Sequence, residues 1–423
     1  MDLVVAIAAG IGFFALVMAS IALHEVGHLV PAKLFGVKVT QYFVGFGKTL
    51  WSMKRGETQY GLKLIPLGGY VRLVGMYPPG RPNPPAGRLA ELAEDARAAE
   101  WADITPEDVA GNRLFYQKKT WQKLVVMFGG PFMNILLAFC IFLTVNLVYG
   151  QAQPQLTVAA VIECVDPAPA ACVKPPAAAA GLKQGDTVVA FNGAAVSTWT
   201  QLTTAIRANG AGQVQFTVDR PGSGRVELPA VPGIVRELPD LTDPTKKVMA
   251  GYVGVQPAYA LVKVGPGQTL ADMWSMTTQS VSALVKFPVS VVMVAVDLAT
   301  GKPRDVNGPI SVVGASVVAG EIATAGQIGP GARIATFFSL LGSVNLFVAL
   351  LNLVPLLPFD GGHMLGAVWE WLRKTTARVL RRPDPGYVDT ARLLPVAYVV
   401  GGFLVLAGVV LIIADVLSPI RIF

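Results

Sequence analysis

Four stretches of this chain are apolar runs long enough to cross a bilayer: Leu3–Leu23, Leu124–Tyr149, Ile334–Leu357 and Leu393–Leu417. Runs of that length leave few folds open. Lipid offers no partner for backbone N–H and C=O groups, so a spanning segment must satisfy them internally, as a helix does. The runs read as four transmembrane helices. A composition of 53% hydrophobic and 14% charged residues is too apolar for an ordinary soluble protein. The first run has no basic leader and no convincing cleavage site, so it reads as a retained helix rather than a signal peptide.

The net charge of +7 is explained by where the bases lie. Lys33, Lys38, Lys48, Lys54, Arg55, Lys63 and Arg72 follow the first run, and Arg113, Lys118, Lys119 and Lys123 precede the second. Arg373, Lys374, Arg378, Arg381, Arg382 and Arg392 separate the last two. The positive-inside rule puts these loops in the cytoplasm, with both termini and residues 150–333 outside. No nucleic-acid patch is needed to account for the bases. Cys164 and Cys172 fall in the outer segment, where a disulfide can persist; the plainer alternative is two unpaired thiols. Cys140, inside a run, reads as a small apolar filler.

Only three histidines occur, and all lie in two short motifs at the ends of apolar runs. His24-Glu25-Val26-Gly27-His28 ends the first and Asp360-Gly361-Gly362-His363 follows the third. Histidines four apart share a helix face, so both imidazoles can reach one tetrahedral ion, and Glu25 is placed to take a proton from water. Two packed core histidines are the bland alternative, but ionisable groups at membrane depth are expensive and usually functional. A catalytic zinc takes three protein ligands and keeps one position open. Asp360 is preferred to His363 as the third, because it ends its run at the depth of His24 and Gly361-Gly362 permit a tight turn beside it. His363 then reads as a neighbour that holds a ligand or stabilises developing charge.

Residues 31–76 read as β-hairpins lying against the membrane, and 77–120 as a Pro-rich and acidic cytoplasmic insertion. Within the insertion, Glu91–Asp108 reads as a solvated helix or partly disordered stretch carrying no chemistry. The four helices occupy 1–30, 121–150, 334–372 and 393–423, with a basic loop at 373–392. Residues 151–240 read as a small α+β module, and about 50 residues of it resemble a PDZ domain of the bacterial type, a fold that binds peptides by strand addition. Residues 241–333 read as a linker with an amphipathic helix at the outer interface. The apolar core of that helix, Ala283–Val296, is short and holds Lys286 and Pro288. Parity supports this reading, since an extra crossing would put His24 and Asp360 at opposite faces.

These motifs together resemble the site-2 protease family of intramembrane zinc metalloproteases. The resemblance rests on His24–His28, on Asn352-Leu353-Val354-Pro355 followed by Asp360-Gly361, and on Ile65–Val71, Gly130–Asn134 and Gly308–Ser311. Within the family the chain is most similar to the branch of the bacterial regulator of sigma-E protease, with one PDZ domain where that protein has two. The resemblance implies zinc held by His24, His28 and Asp360, and Glu25 as general base. It also implies a multi-pass protein of the bacterial cytoplasmic membrane whose active site lies near the cytoplasmic side. Implied substrates are single-span membrane proteins, such as anti-sigma factors or remnant signal peptides, cut after a first protease has removed their outer part.

A substrate helix must be drawn into an extended strand before hydrolysis, and the backbone so exposed needs replacement partners. The hairpin around Gly68, Gly69 and Tyr70 can pair with it, and the Asn352 amide can hold it; interhelical bonding is the alternative for Asn352 and Asn345. Asn134 reads mainly as structural, near the site. Two other functional classes fit the sequence less well. An inactive membrane-embedded PDZ scaffold is disfavoured because every expected ligand and Glu25 are present. A metal transporter would need ligands at several depths.

Overall fold

A computed structural model of the chain describes residues 2–80, 87–164, 173–241 and 246–420. They form two compact units, Met1–Tyr149 with Gly265–Phe423, and Gly150–Val264. In chain order the first unit begins with α1 (Asp2–Leu34), β1 (Val39–Arg55), β2 (Thr58–Leu73), α2 (Arg88–Trp101), α3 (Pro106–Ala110) and α4 (Thr120–Val148).

The second unit holds β3 (Gln151–Val161), α5 (Pro176–Ala179), β4 (Thr187–Phe191), β5 (Ala194–Ala195), α6 (Trp199–Asn209), β6 (Gln213–Val214), β7 (Phe216–Arg220) and β8 (Gly224–Glu227). It ends with β9 (Val231–Pro232), β10 (Ile234–Pro239), β11 (Lys247–Tyr252) and β12 (Val255–Val262). The first unit resumes with α7 (Pro266–Thr300), α8 (Val312–Thr324), α9 (Pro330–Asn352), α10 (Asp360–Val379) and α11 (Leu394–Leu417).

The helix bundle is packed through small residues, as expected where apolar side chains gain little by leaving lipid for protein. A Cβ at Gly129 would lie 1.9 Å from the Gly27 carbonyl oxygen, so α1 and α4 touch backbone to backbone. A Cβ at Gly10 would meet the Ser316 carbonyl at 2.8 Å, and one at Gly320 the Ala6 carbonyl at 2.6 Å; α8 therefore runs antiparallel to α1. α1 stops at Gly36, whose φ of +68° few other residues adopt. The Val37 and Gly36 amides then close on the carbonyls of Ala32 and Lys33.

The expected hairpin region is present and bends sharply at Gly45 and Gly47, both at positive φ. Val39–Val44 runs between Gln59–Leu62 on one side and Gly69–Leu73 on the other. Gly69–Leu73 is thus an edge, with no further strand paired to it among the described residues. The base of the hairpin is sealed to α1 and α4 by Leu29, Val37, Val39, Leu73, Phe115 and Val126.

Three expectations are corrected. The segment from 268 to 300 is not short: α7 has 35 residues, because Thr- and Ser-rich turns extend the apolar core. By length and composition it joins α1, α4, α9 and Thr390–Leu417 as one of five helices among the described residues able to cross a membrane. The span expected over 334–372 is two helices, since α9 ends at Asn352 and α10 starts at Asp360, with Pro355 and Pro358 between. The stretch read as solvated is packed: Ala93 lies against Ala391 and Leu394, and Asp108 is buried against Lys38 at 2.6 Å.

In the second unit the main sheet has the order β12-β3-β4-β7-β8, with β5 on β4. Val158, Val188, Leu202, Ile206, Phe216 and Val218 fill its core beside α6. Thr198 caps α6 by accepting from the Gln201 amide. Asn192-Gly193 makes the β4–β5 turn with both residues at positive φ, the conformation this residue pair favours. Asp186 is almost fully enclosed and accepts two hydrogen bonds from Arg220, at 2.8 and 2.7 Å. The Arg220 guanidinium holds its carboxyl below the usual carboxylate range, against the opposing effect of burial. A depressed folded value stabilises the fold above the ordinary unfolded value of about 3.9 and loses that contribution as pH falls through the folded one. Amide protection factors in residues 150–264, which correct for the intrinsic pH dependence of exchange, should therefore fall below about pH 4. In Asp186→Asn this acid-side dependence should vanish; its persistence would assign it to another group.

Candidate metal centre

The turn spacing of α1 places His24 and His28 on one buried face, with their Nε2 atoms 3.2 Å apart. Asp360 Oδ2 lies 3.4 Å from His24 Nε2 and 3.3 Å from His28 Nε2. Ligands at about 2.0–2.1 Å from a tetrahedral ion lie roughly 3.3 Å from one another, which matches this triangle. His28 Nδ1 is 2.8 Å from the Val126 carbonyl, so Nδ1 carries the proton and the Nε2 lone pair faces Asp360. Asp360 Oδ2 has no hydrogen-bond partner although it is buried. Two imidazole nitrogens and a carboxylate oxygen converging without a donor suit a cation. They are the one group of three potential ligands found among the described residues.

Asp360 reaches the histidines because the chain folds back on itself after α9. A Cβ at Gly361 would lie 2.4 Å from the Leu353 and Val354 carbonyls, and one at Gly362 would strike Leu357 N at 2.6 Å. Gly130 supplies the remaining space. A Cβ there would sit 2.2 Å from His28 Nε2 and 2.7 Å from His24 Nε2.

A cavity of about 560 Å³ opens at this cluster. Glu25, His363 and Asn352 line it together with the edge strand from Gly69 to Leu73. Glu25 stands against that strand: a Cβ at Gly69 would lie 3.1 Å from its Cγ. Tyr70 stacks on Phe43 and Phe46 and donates to Gln41 Oε1. Gly68 does not line the cavity and packs on the Phe46 ring at a φ of +120°.

Asn352 lines the cavity with its amide nitrogen bonded to the Val348 carbonyl, whereas Asn345 reaches across to Ser20 Oγ. Asn134 is buried on α4, one turn past Gly130, and lies outside the cavity lining with its side-chain oxygen unpartnered. Cys172 lies outside the described residues, and with it the expected Cys164–Cys172 pairing; Cys140 is a free thiol.

Sequence reasoning missed one whole wall. Ala96, Ala99 and Glu100 of α2 face the cavity beside Met76 and Tyr77. The signal was the three- and four-residue spacing of those positions, hidden by an acidic composition.

The profile of peptidase family M50 matches residues 12–381. The zinc metalloprotease Rip1 of Mycobacterium tuberculosis is 34% identical over 438 aligned residues, covering 98% of both chains. Rip1 of Mycolicibacterium smegmatis is 32% identical over 445, again with 98% of each chain covered. A putative zinc metalloprotease of Helicobacter pylori is 28% identical over 355, covering 83% of this chain and 85% of its own.

Gly130→Ala tests the triangle without touching a ligand. The added methyl should displace both imidazoles and weaken metal retention by about 10- to 100-fold, the range seen when support around a metal ligand is lost. Metal content after purification measures this, with circular dichroism reporting an unchanged helix content. Full metal loading would show that the histidines have another resting position.

Proposed function

Because the chain belongs to peptidase family M50, the site-2 protease family, we propose that it cleaves single-span membrane proteins within or near their membrane segment. It is a zinc metalloendopeptidase of a bacterial membrane. The observation that carries the finer reading is the His24–His28–Asp360 triangle at the end of an apolar helix, sharing one cavity with an unpaired strand edge.

In this reading His24, His28 and Asp360 hold the zinc and Glu25 is the general base. Zinc, when bound, supplies Lewis-acid polarisation and makes water a nucleophile near neutral pH. The Val126 carbonyl orients the His28 ring. Glu25, between the ligand-bearing face of α1 and Gly69, takes a proton from the attacking water and passes it to the leaving amine. Gly69–Leu73 accepts the unwound substrate as an added strand, which satisfies the backbone groups that unwinding exposes. Asn352 binds that strand from the other side, Tyr70 and Gly68 shape the edge, and His363 and Asn134 support the centre from nearby.

Four of the long helices then span the membrane, with the basic loops and the centre toward the cytoplasm. The interfacial placing of α7 is supported by its two ends. Thr269 accepts from Asn146, roughly 24 Å along α4 from Gly130, at about 1.5 Å per residue. Arg304, just beyond α7, pairs with Asp415, which meets Gly314 beside the crossing of α8 and Gly10. Gly10 is itself about 21 Å along α1 from His24 by the same rise. A helix anchored far from the centre at both ends runs along the membrane rather than through it.

Residues 150–264 act as a single outer PDZ domain that recruits or sterically excludes substrates, and anti-sigma factors or remnant signal peptides already trimmed outside are the substrates proposed. The order of the main sheet and the capped helix α6 support that domain.

Glu25→Gln separates metal binding from chemistry. The variant should keep its zinc and lose cleavage of a model single-span substrate by on the order of 10²–10⁴-fold, the contribution typical of a general base. Normal turnover in reconstituted vesicles would remove Glu25 from the mechanism.

A further inference from the structure

α2 is braced on both sides. Arg97, 4% exposed, makes two 2.8 Å bonds to the Asp389 carboxylate ahead of α11 and pairs with Glu94 on its own helix. Glu100 accepts from the Met76 and Tyr77 amides, and Trp101 Nε1 donates to the Tyr77 carbonyl at 3.3 Å. Burial pushes the Glu100 carboxyl up from its ordinary value, while those same amides favour its charged form. Ala93 seats the helix on Ala391 and Leu394. Ala96 packs at the edge of that seat with Tyr77, and together with Ala99 it borders the cavity beside Met76 and Leu73.

We propose that this face of α2 is a specificity wall, and that Ala96 and Ala99 leave room there for a large apolar substrate side chain. The proposal rests on the strand-addition reading above and adds to it a second surface that the substrate must fit. A strand paired along Gly69–Leu73 has its scissile bond near Gly69, where Glu25 stands. Each residue advances it by about 3.3 Å toward Leu73 and Tyr77, so residues roughly two to four from that bond come alongside α2. Side chains on a strand alternate between faces, so one or two of them point at the wall. The apolar part of the surface they meet is Ala96, Ala99, Met76 and Leu73; of the charged groups beside it, Arg72 is paired with Asp103 and Glu100 accepts from the Met76 and Tyr77 amides. Two alanines one turn apart make a flat helix face, and any larger residue there fills the space a substrate side chain would use.

The test uses the full-length enzyme in lipid vesicles and a single-span substrate panel with Ala, Leu or Phe at each position flanking the scissile bond. The unsubstituted enzyme should prefer Leu or Phe over Ala at one position two to four residues from the bond. In Ala99→Leu the ratio of kcat/KM for Phe over Ala at that position should fall by about tenfold or more, the scale of discrimination in an apolar pocket. An unchanged ratio, or an equal loss for every substrate, overturns the wall. As a second readout, Ala99→Cys combined with Glu25→Gln should, under an added mild thiol oxidant that takes up the two electrons, form a disulfide with substrate cysteines confined to that window on one side of the bond. Crosslinks at no position, or spread evenly along the substrate, would likewise overturn it. Absence of any cleavage by the unsubstituted enzyme would instead count against the proposed function, so the two failures are distinct.

Discussion

The contact on which the centre depends is the backbone crossing of α1 and α4. Gly27 faces Gly129 and Gly130 so closely that a methyl group at Gly27 or Gly129 would overlap the opposing carbonyl. That approach sets the Val126 carbonyl against His28 Nδ1 and leaves the Nε2 lone pair pointing toward Asp360. It also opens, at Gly130, the pocket in which both imidazoles sit. With any other residue the helices would stand farther apart and His28 would lose the partner that fixes its tautomer. Helix packing and metal chemistry are here one constraint, met by residues with no side chain.

Asp360 comes from a segment more than 300 residues away in sequence, so something must register α10 against α4. A buried ion pair does this: Lys123 Nζ lies 3.1 Å from both oxygens of Glu370, with both side chains almost fully enclosed. Glu370 also accepts from Lys374 Nζ and the Val388 amide. An ion pair in such surroundings adds little net stability, because desolvation offsets most of the attraction. Its value lies in specificity, since any other register leaves a charge unpaired at a cost of several kcal/mol. Arg304 and Asp415 play the same part at the other end of the bundle, where Asp415 also accepts from the Ser311 amide.

The site was legible where a local period carries chemistry. His24 and His28 are one helical turn apart, and Asp360 precedes two glycines, so spacing and residue type sufficed. The hairpin was legible for the same reason, through its glycine punctuation. What escaped were features fixed by distant partners. Arg97 and Glu100 look like solvent-facing charges in sequence, yet Arg97 is spent on Asp389 and Glu100 on the Met76 and Tyr77 amides. The length of α7 escaped because its flanking threonines and serines bond back to their own helix, as Thr277 does to the Met273 carbonyl. Gly130 stood out only within the Gly130–Asn134 stretch that resembles the family; its task was hidden, since a glycine in an apolar run looks the same whether it clears space for a neighbour or for nothing.

Hydrolysis inside a membrane sets two demands that oppose each other: water must reach the bond, and a helix must unwind where unpaired amides are costly. In the proposed function the fold meets them with adjacent surfaces of one cavity. One polar surface holds the triad, Glu25, Asn352 and His363, and beside it runs the strand edge whose backbone groups can replace those of a helix, with Arg72 and Glu100 at its far end. The break between α9 and α10 belongs to the same solution. A continuous helix through 353–359 would carry Asp360 onward along its axis, whereas the fold-back onto Leu353 and Val354 turns the carboxylate toward the histidines. Irregular backbone inside a membrane is tolerated only against protein or a water-filled space, and this turn packs on its own chain through Gly361 and Gly362 while Pro358 borders the cavity. The proposed ligand set is therefore complete only when α1, α4 and the turn before α10 are packed together, so in that reading metal affinity reports on tertiary structure more directly than on any single ligand.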